Sequence, residues 1–185
     1  MPEKIFSEEA KGFIQNLQKL QDDFAAAVGG QIVTTDREGN LVTKMSGAQR
    51  VCQLIMATEK GKEKCSEAYK TALGLVKTMK EPAFMDCHAG YASLWVPIEI
   101  NGEIVGSITG CGGKYDRGES KEELREKFSK LADTIEISDK EDFLKAAVDE
   151  IKPVTETEMK ERATKLAKLV VTLAEEDVLK EVFGA

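Results

Sequence analysis

No stretch of the chain stays apolar for the roughly eighteen residues that a bilayer-crossing helix needs. The opening Met1-Pro2-Glu3-Lys4 lacks the basic segment and apolar run of a secretory signal. Basic residues are outnumbered: 26 Lys and Arg against 33 Asp and Glu leave a net charge of −7. That balance is wrong for gripping a phosphate backbone, which needs a basic face. No internal repeat or low-complexity tract is visible, and the regular strand–helix alternation of a doubly wound sheet is missing. These absences predict a cytoplasmic protein with no membrane segment and no direct nucleic-acid contact.

Cysteine is sparse. Cys52, Cys65, Cys87 and Cys111 include no Cys-x-x-Cys pair, which excludes a zinc-ribbon or thioredoxin-type motif. In a reducing compartment such thiols are free, metal-bound or redox-active rather than disulfide-bonded. Gly110-Cys111-Gly112-Gly113 lacks the spacing and the Lys-Ser/Thr of a phosphate-binding loop. What is present is 42% apolar and 32% charged sequence over 185 residues, enough for one globular domain spanning 1–185.

Ser7 as N-cap, followed by Glu8 and Glu9, opens a helix over 7–28. Its Phe13, Leu17, Leu20, Phe24 and Val28 form one apolar stripe, and Gly29-Gly30 ends it. A strand over 31–35, a turn at 36–40 and a returning strand over 41–43 predict a first hairpin. Helices follow over 47–58 and 62–80, and Pro82 starts a strand over 83–87. Asn101-Gly102 between two apolar runs marks a tight second hairpin. A helix over 121–132, an extended segment at 135–137 and a capping box in Ser138-Asp139-Lys140-Glu141 come next, the box opening a helix to Ile151. After Pro153 a final amphipathic helix over 155–182 carries Leu166, Leu169, Val170, Leu173, Val178 and Val182 on one stripe. The pattern predicts an α+β domain: a central antiparallel sheet of about five strands with flanking helices. The two terminal helices are candidates to pack on the sheet or to pair in a homodimer.

The stretch 85–113 holds the candidate ligand-binding residues Cys87, His88, Tyr91, Trp95 and Cys111. Counting back from the turn sets Cys111 opposite Ala92, with Cys87 further out on the first strand. In a regular ribbon Cys87 and Cys111 then fall on opposite faces, so a bulge or turn near Ala89-Gly90 is needed to bring them together. Alternation gives Ala92, Leu94, Val96 and Ile98 a core face. It leaves Tyr91, Ser93, Trp95 and Pro97 on a mixed face that a ligand or a covering helix meets, with Tyr115 a further aromatic for a small pocket. If Cys52 and Cys65 face the hairpin, four thiolates, or three with His88, suit tetrahedral zinc or an iron–sulfur cluster. A thiol redox sensor or cysteine-based redox enzyme is the alternative, and needs a thiolate activated by a neighbour such as His88. Adjacent residues on a strand point to opposite faces, which works against a direct Cys87–His88 nucleophile–base pair. Cysteines serving only as small buried hydrophobes are the plainest option.

In order along the chain, Leu17-Gln18-Lys19-Leu20-Gln21-Asp22 with Phe24, Thr35 through Thr43, Cys52, and Gly61 through Cys65 form one set of motifs. Cys87-His88-Ala89-Gly90-Tyr91, Val96-Pro97-Ile98, Gly102 and Ile104-Val105-Gly106 complete it. Together they resemble the PocR-type ligand-binding sensory domain, over about residues 17–173. The resemblance implies a PAS-like variant whose antiparallel sheet cups a small molecule such as a short diol. It also implies a regulatory role beside a separate signalling or transcription partner. Cys52, Cys65, Cys87 and Gly90 match the family pattern, whereas Cys111 stands where glutamine is expected; a fourth thiol there turns an organic pocket towards a metal or cluster site. No helix-turn-helix or transmitter segment follows, so the chain reads as a stand-alone sensor or an excised module.

Overall fold

The computed structural model describes residues 6–28, 30–114, 117–151, 157, 160, 161, 164, 165, 172 and 174–184. Helix α1 (Glu8–Val28) starts where expected, with Ser7 Oγ accepting from Ala10 N at 3.1 Å. Strand β1 (Gln31–Asp36), the short helix α2 (Arg50–Met56) and the long helix α3 (Glu59–Met79) follow. Then come β2 (Ala83–Asp86), β3 (Ala92–Ile100) and β4 (Glu103–Gly113). Helix α4 (Lys121–Thr134) precedes α5 (Lys140–Leu144), which runs on into a π turn at Lys145–Asp149. Helix α6 (Glu176–Phe183) closes the described chain.

The sheet has four strands, in the order β1-β4-β3-β2, all neighbours antiparallel. The fifth expected strand, at 41–43, makes only isolated bridges, Thr35 with Leu41 and Ile32 with Ser46. The reason is local. The Asp36 carboxylate accepts from Glu38 N and Asn40 N, both at 2.9 Å, and curls the chain. The Thr43 hydroxyl then takes the Thr34 N–H that a ladder partner would have used. The extended segment at 135–137 is instead the closure of α4: Ile137 N donates to Ala132 O at 2.9 Å, with Glu136 left-handed at φ 60°. The capping box sits one helix earlier than expected, as Ser120 with Glu123, while α5 is capped by Asp139 alone. The long final helix is interrupted by Glu175, extended at ψ 154°, immediately before α6. Leu166, Leu169, Val170 and Leu173 lie outside the described residues.

Each sheet face has its own cover. On one side α1 and α6 pack on Ile32, Leu94, Val96, Ile98 and Ile108, with Phe13 and Phe183 edge to face at 6.3 Å. On the other, α3 lies over Val33, Ala83 and Trp95, and the Tyr69 ring sits 5.4 Å from that of Trp95. The mixed face of β3 is therefore met by a helix: Ser93 and Trp95 are as buried as the core face, while Pro97 is half-buried. A third cluster joins α2 to α4, α5 and the π turn through Tyr91, stacked on Phe128 at 5.3 Å. Among the described residues, no helix is long and apolar enough to cross a membrane.

Candidate functional site

The register places the site. Val105 is one residue too many between the Glu99–Ile104 and Ile98–Gly106 pairs, so β4 bulges there and every later pairing slips by one. Cys111 therefore faces Ser93, not Ala92, and Gln31 on its other side. A second irregularity pairs Ala92 with Gly113. The row Gln31, Cys111, Ser93 and Met85 thus crosses all four strands on the α3 side.

Strand β2 ends at Asp86, so Cys87 lies in a turn rather than on a strand. Gly90 N donates to Cys87 O at 2.8 Å and Cys87 N to Tyr91 O at 2.9 Å. Gly90, at φ 76°, supplies the left-handed residue this turn requires. The turn folds Cys87 and His88 towards α3, where Cys65 Sγ meets His88 Nε2 at 3.1 Å. The start of α3 is fixed by Thr58, whose hydroxyl accepts from Gly61 N at 3.0 Å. It is also fixed by Gly61 itself, where a Cβ would stand 2.0 Å from Ile55 O. This tight corner brings α2, with Cys52, beside α3, with Cys65.

Between the sheet row, α2, α3 and the turn lies a cavity of ≈ 40 Å³. Cys52, Cys65, Cys87 and Cys111 all line it, as do His88, Tyr91 and Trp95. Every residue singled out in the sequence as a ligand or metal contact is thus brought to one place. Tyr115 lies outside the described residues. The sequence reading missed Gln31, Tyr69, Met45 and Met56, which also form the wall. For Gln31 no signal stood out, because Thr34, Thr35 and Asp36 make β1 polar over half its length.

Two buried polar atoms on this wall lack a hydrogen-bond partner: Gln31 Oε1 and His88 Nδ1. Such atoms are costly unless something else satisfies them. Burial pushes the Cys52 and Cys65 thiols up to about 12, reinforced by neighbouring cysteines. Burial also raises Cys87 and lifts Cys111 well above the ordinary thiol value. The His88 imidazole is held below its ordinary value by burial and by Lys64, against an opposing pull from Glu67. At neutral pH the wall therefore carries protonated thiols and a neutral imidazole. Thiolates are the nucleophilic form, so this environment works against thiol attack. Among the described residues, no three histidine, cysteine or carboxylate side chains stand close enough together to clasp one metal ion.

The architecture is that of a sheet, two helices and a turn enclosing a small cavity with unsatisfied polar atoms. Residues 13–178 match the family model described as the sensory domain found in PocR. The chain belongs to that PocR sensory-domain family. It is 25% identical over 96 residues to the regulatory protein PocR of Salmonella typhimurium, a match covering 52% of this chain and 31% of that protein. The chain thus spans about a third of its relative's length. No solved structure matches it.

Proposed function

We propose that this chain is a ligand-sensing regulatory domain whose occupant, a small molecule or a cysteine-ligated metal centre, binds in the cavity between the sheet and α3. The supporting observation is the cavity itself, walled by apolar and sulfur groups and carrying Gln31 Oε1 and His88 Nδ1 without partners. An organic occupant would need a donor for Gln31 Oε1, as a short alcohol or diol provides. The sheet cupped over such a site accords with a PAS-like variant. Occupancy would shift β3 and β4, and α1 and α6 on the opposite face would carry the change to a partner or to a second copy. A metal centre is the second reading, favoured by four thiols on one cavity wall.

The test is thermal unfolding of protein produced without oxygen. It is run as isolated, then after chelation, with and without a panel of short alcohols, diols and aldehydes. A ligand that binds only the folded state raises Tm with concentration. The expected result is either a Tm rise with one of these compounds, abolished by Gln31→Leu, or a Tm fall on removal of a bound metal. Indifference to both overturns the sensing assignment.

A further inference from the structure

Resting on the reading that the cavity holds an occupant, we propose that the occupant is an iron–sulfur cluster ligated by Cys52, Cys65, Cys87 and Cys111. Each thiol comes from a different element: α2, α3, the turn after β2, and β4. All four line the same cavity, together with the His88 imidazole, and no carboxylate, lysine or arginine side chain does. Thiolates without hard oxygen ligands select zinc, Cu(I) or iron–sulfur centres.

The spacing decides among these. Tetrahedral zinc bound through bonds of about 2.3 Å needs its sulfurs roughly 3.8 Å apart. Among the described residues no three cysteine, histidine or carboxylate groups gather closely enough for a single ion. A cluster distributes its thiolates over more than one iron, so its ligands stand further apart around the core. Four thiols from four elements lining one cavity, with no three grouped for a single ion, is an arrangement compatible with a polynuclear centre.

A cavity of ≈ 40 Å³ is far below the roughly 300–1,000 Å³ of sites for drug-sized molecules, which leaves a short alcohol or a compact inorganic core as the occupants to weigh. An inorganic core sits at bonding distance from its sulfurs, well inside van der Waals contact, and so needs less empty space than an organic ligand of equal bulk. The orphan Gln31 Oε1 belongs to an amide whose two ends are interchangeable by rotation. Turned over, the amide would present N–H groups to cluster sulfur, a contact known to tune such centres. Loading is ligand exchange from a preformed core: four S–H bonds break, four S–Fe bonds form, and four protons leave for solvent. The iron oxidation states do not change, and the outgoing ligands return to the donor.

The experiment is iron, zinc and acid-labile sulfide analysis of protein produced and purified without oxygen, with its visible spectrum and its thiol reactivity. Iron and sulfide in equal amounts, two or four of each per chain, with sulfur-to-iron charge-transfer absorption, are expected; the count distinguishes the two-iron from the four-iron form. All four cysteines should resist alkylation while loaded and react after chelation and denaturation. Cys111→Ala and Cys52→Ala should each lose at least tenfold of the bound iron. The alkylation pattern of the unsubstituted protein decides the matter even if those variants fail to fold. Stoichiometric zinc, or iron retained when all four cysteines are alanine, overturns the cluster. Metal-free protein stabilised by a short alcohol also overturns it while leaving the sensing role intact. Metal-free protein indifferent to every compound sinks both.

Discussion

Cys65 on α3 and His88 in the turn after β2 meet at 3.1 Å, sulfur to Nε2, although 23 positions separate them in the chain. Among the described residues the other ring nitrogen of His88 has no partner, so this contact is the imidazole's one hydrogen bond to them. Cys65→Ala leaves both ring nitrogens unsatisfied in a half-buried setting. In metal-free protein it should cost about 1–3 kcal/mol, the range for a stranded buried polar group. Cys65→Ser, which keeps a hydroxyl in place, should cost less. Urea denaturation of both variants measures the difference, and equal costs would argue that the contact contributes nothing.

The raised thiols give the metal-free protein a pH signature. Cys52 and Cys65 stand at about 12 when folded, against an ordinary 9.0. A folded pKa above the unfolded one means the folded state keeps protons that the unfolded chain releases. The associated stability is intact below pH 9 and declines as pH rises from about 9 to about 12. Iodoacetamide at pH 8 should therefore label these two residues slowly in the native state and quickly in urea, as read by mass spectrometry. Fast native labelling would contradict the burial described above.

Gln21 is fully buried on the far side of the sheet, and each end of its amide has two partners. Its nitrogen donates to Lys44 O at 2.9 Å and Ser46 Oγ at 2.8 Å; its oxygen accepts from Thr34 Oγ1 at 2.9 Å and Thr43 Oγ1 at 2.8 Å. Gln21→Leu strands several buried groups at once and should lower stability by roughly 2–4 kcal/mol. Faster amide exchange confined to residues 31–46 should accompany it.

Gly61→Ala tests the corner that sets α2 beside α3. The added Cβ meets backbone, Ile55 O at 2.0 Å, as well as the Thr58 hydroxyl at 2.7 Å. Backbone cannot rotate away, so the corner must open, at a cost of about 1–3 kcal/mol. Occupancy of the cavity should fall more than stability does, because Cys52 and Cys65 separate. Gly74→Ala, where a Cβ meets nothing within 4 Å, is the control on the same helix.

The parts of the fold that follow from local chemistry could be read directly. The stripe of Phe13 and Leu17, the Ser7 cap and the Asn101-Gly102 turn each depend on a few neighbouring residues, and each stands as expected. The need for an irregularity to bring Cys87 and Cys111 together was also visible from strand alternation. The turn expected near Ala89-Gly90 is there, with Gly90 N donating to Cys87 O at 2.8 Å; the further slip at Val105 was not legible, because an extra residue is a property of two strands in register. The strand expected at 41–43 failed because Thr43 bonds through its side chain to Thr34, a substitution that composition does not signal. The Cys65–His88 contact was hidden for a related reason. Sequence adjacency sets His88 beside Cys87, while the turn aims it at a helix more than twenty residues back.

The π turn at Lys145–Asp149, closed by Glu150 N on Lys145 O at 3.3 Å, amounts to one residue inserted into a helical path. It also holds Ala147, whose carbonyl accepts from the Tyr91 hydroxyl at the cavity wall. Each residue of an α-helix advances the chain by about 100° around its axis. The insertion therefore acts as a dial: deleting one residue there would re-aim everything downstream by about a quarter turn. The rotation of the helical path through this turn is thereby set by a count of residues, at a spot that the cavity-lining Tyr91 holds.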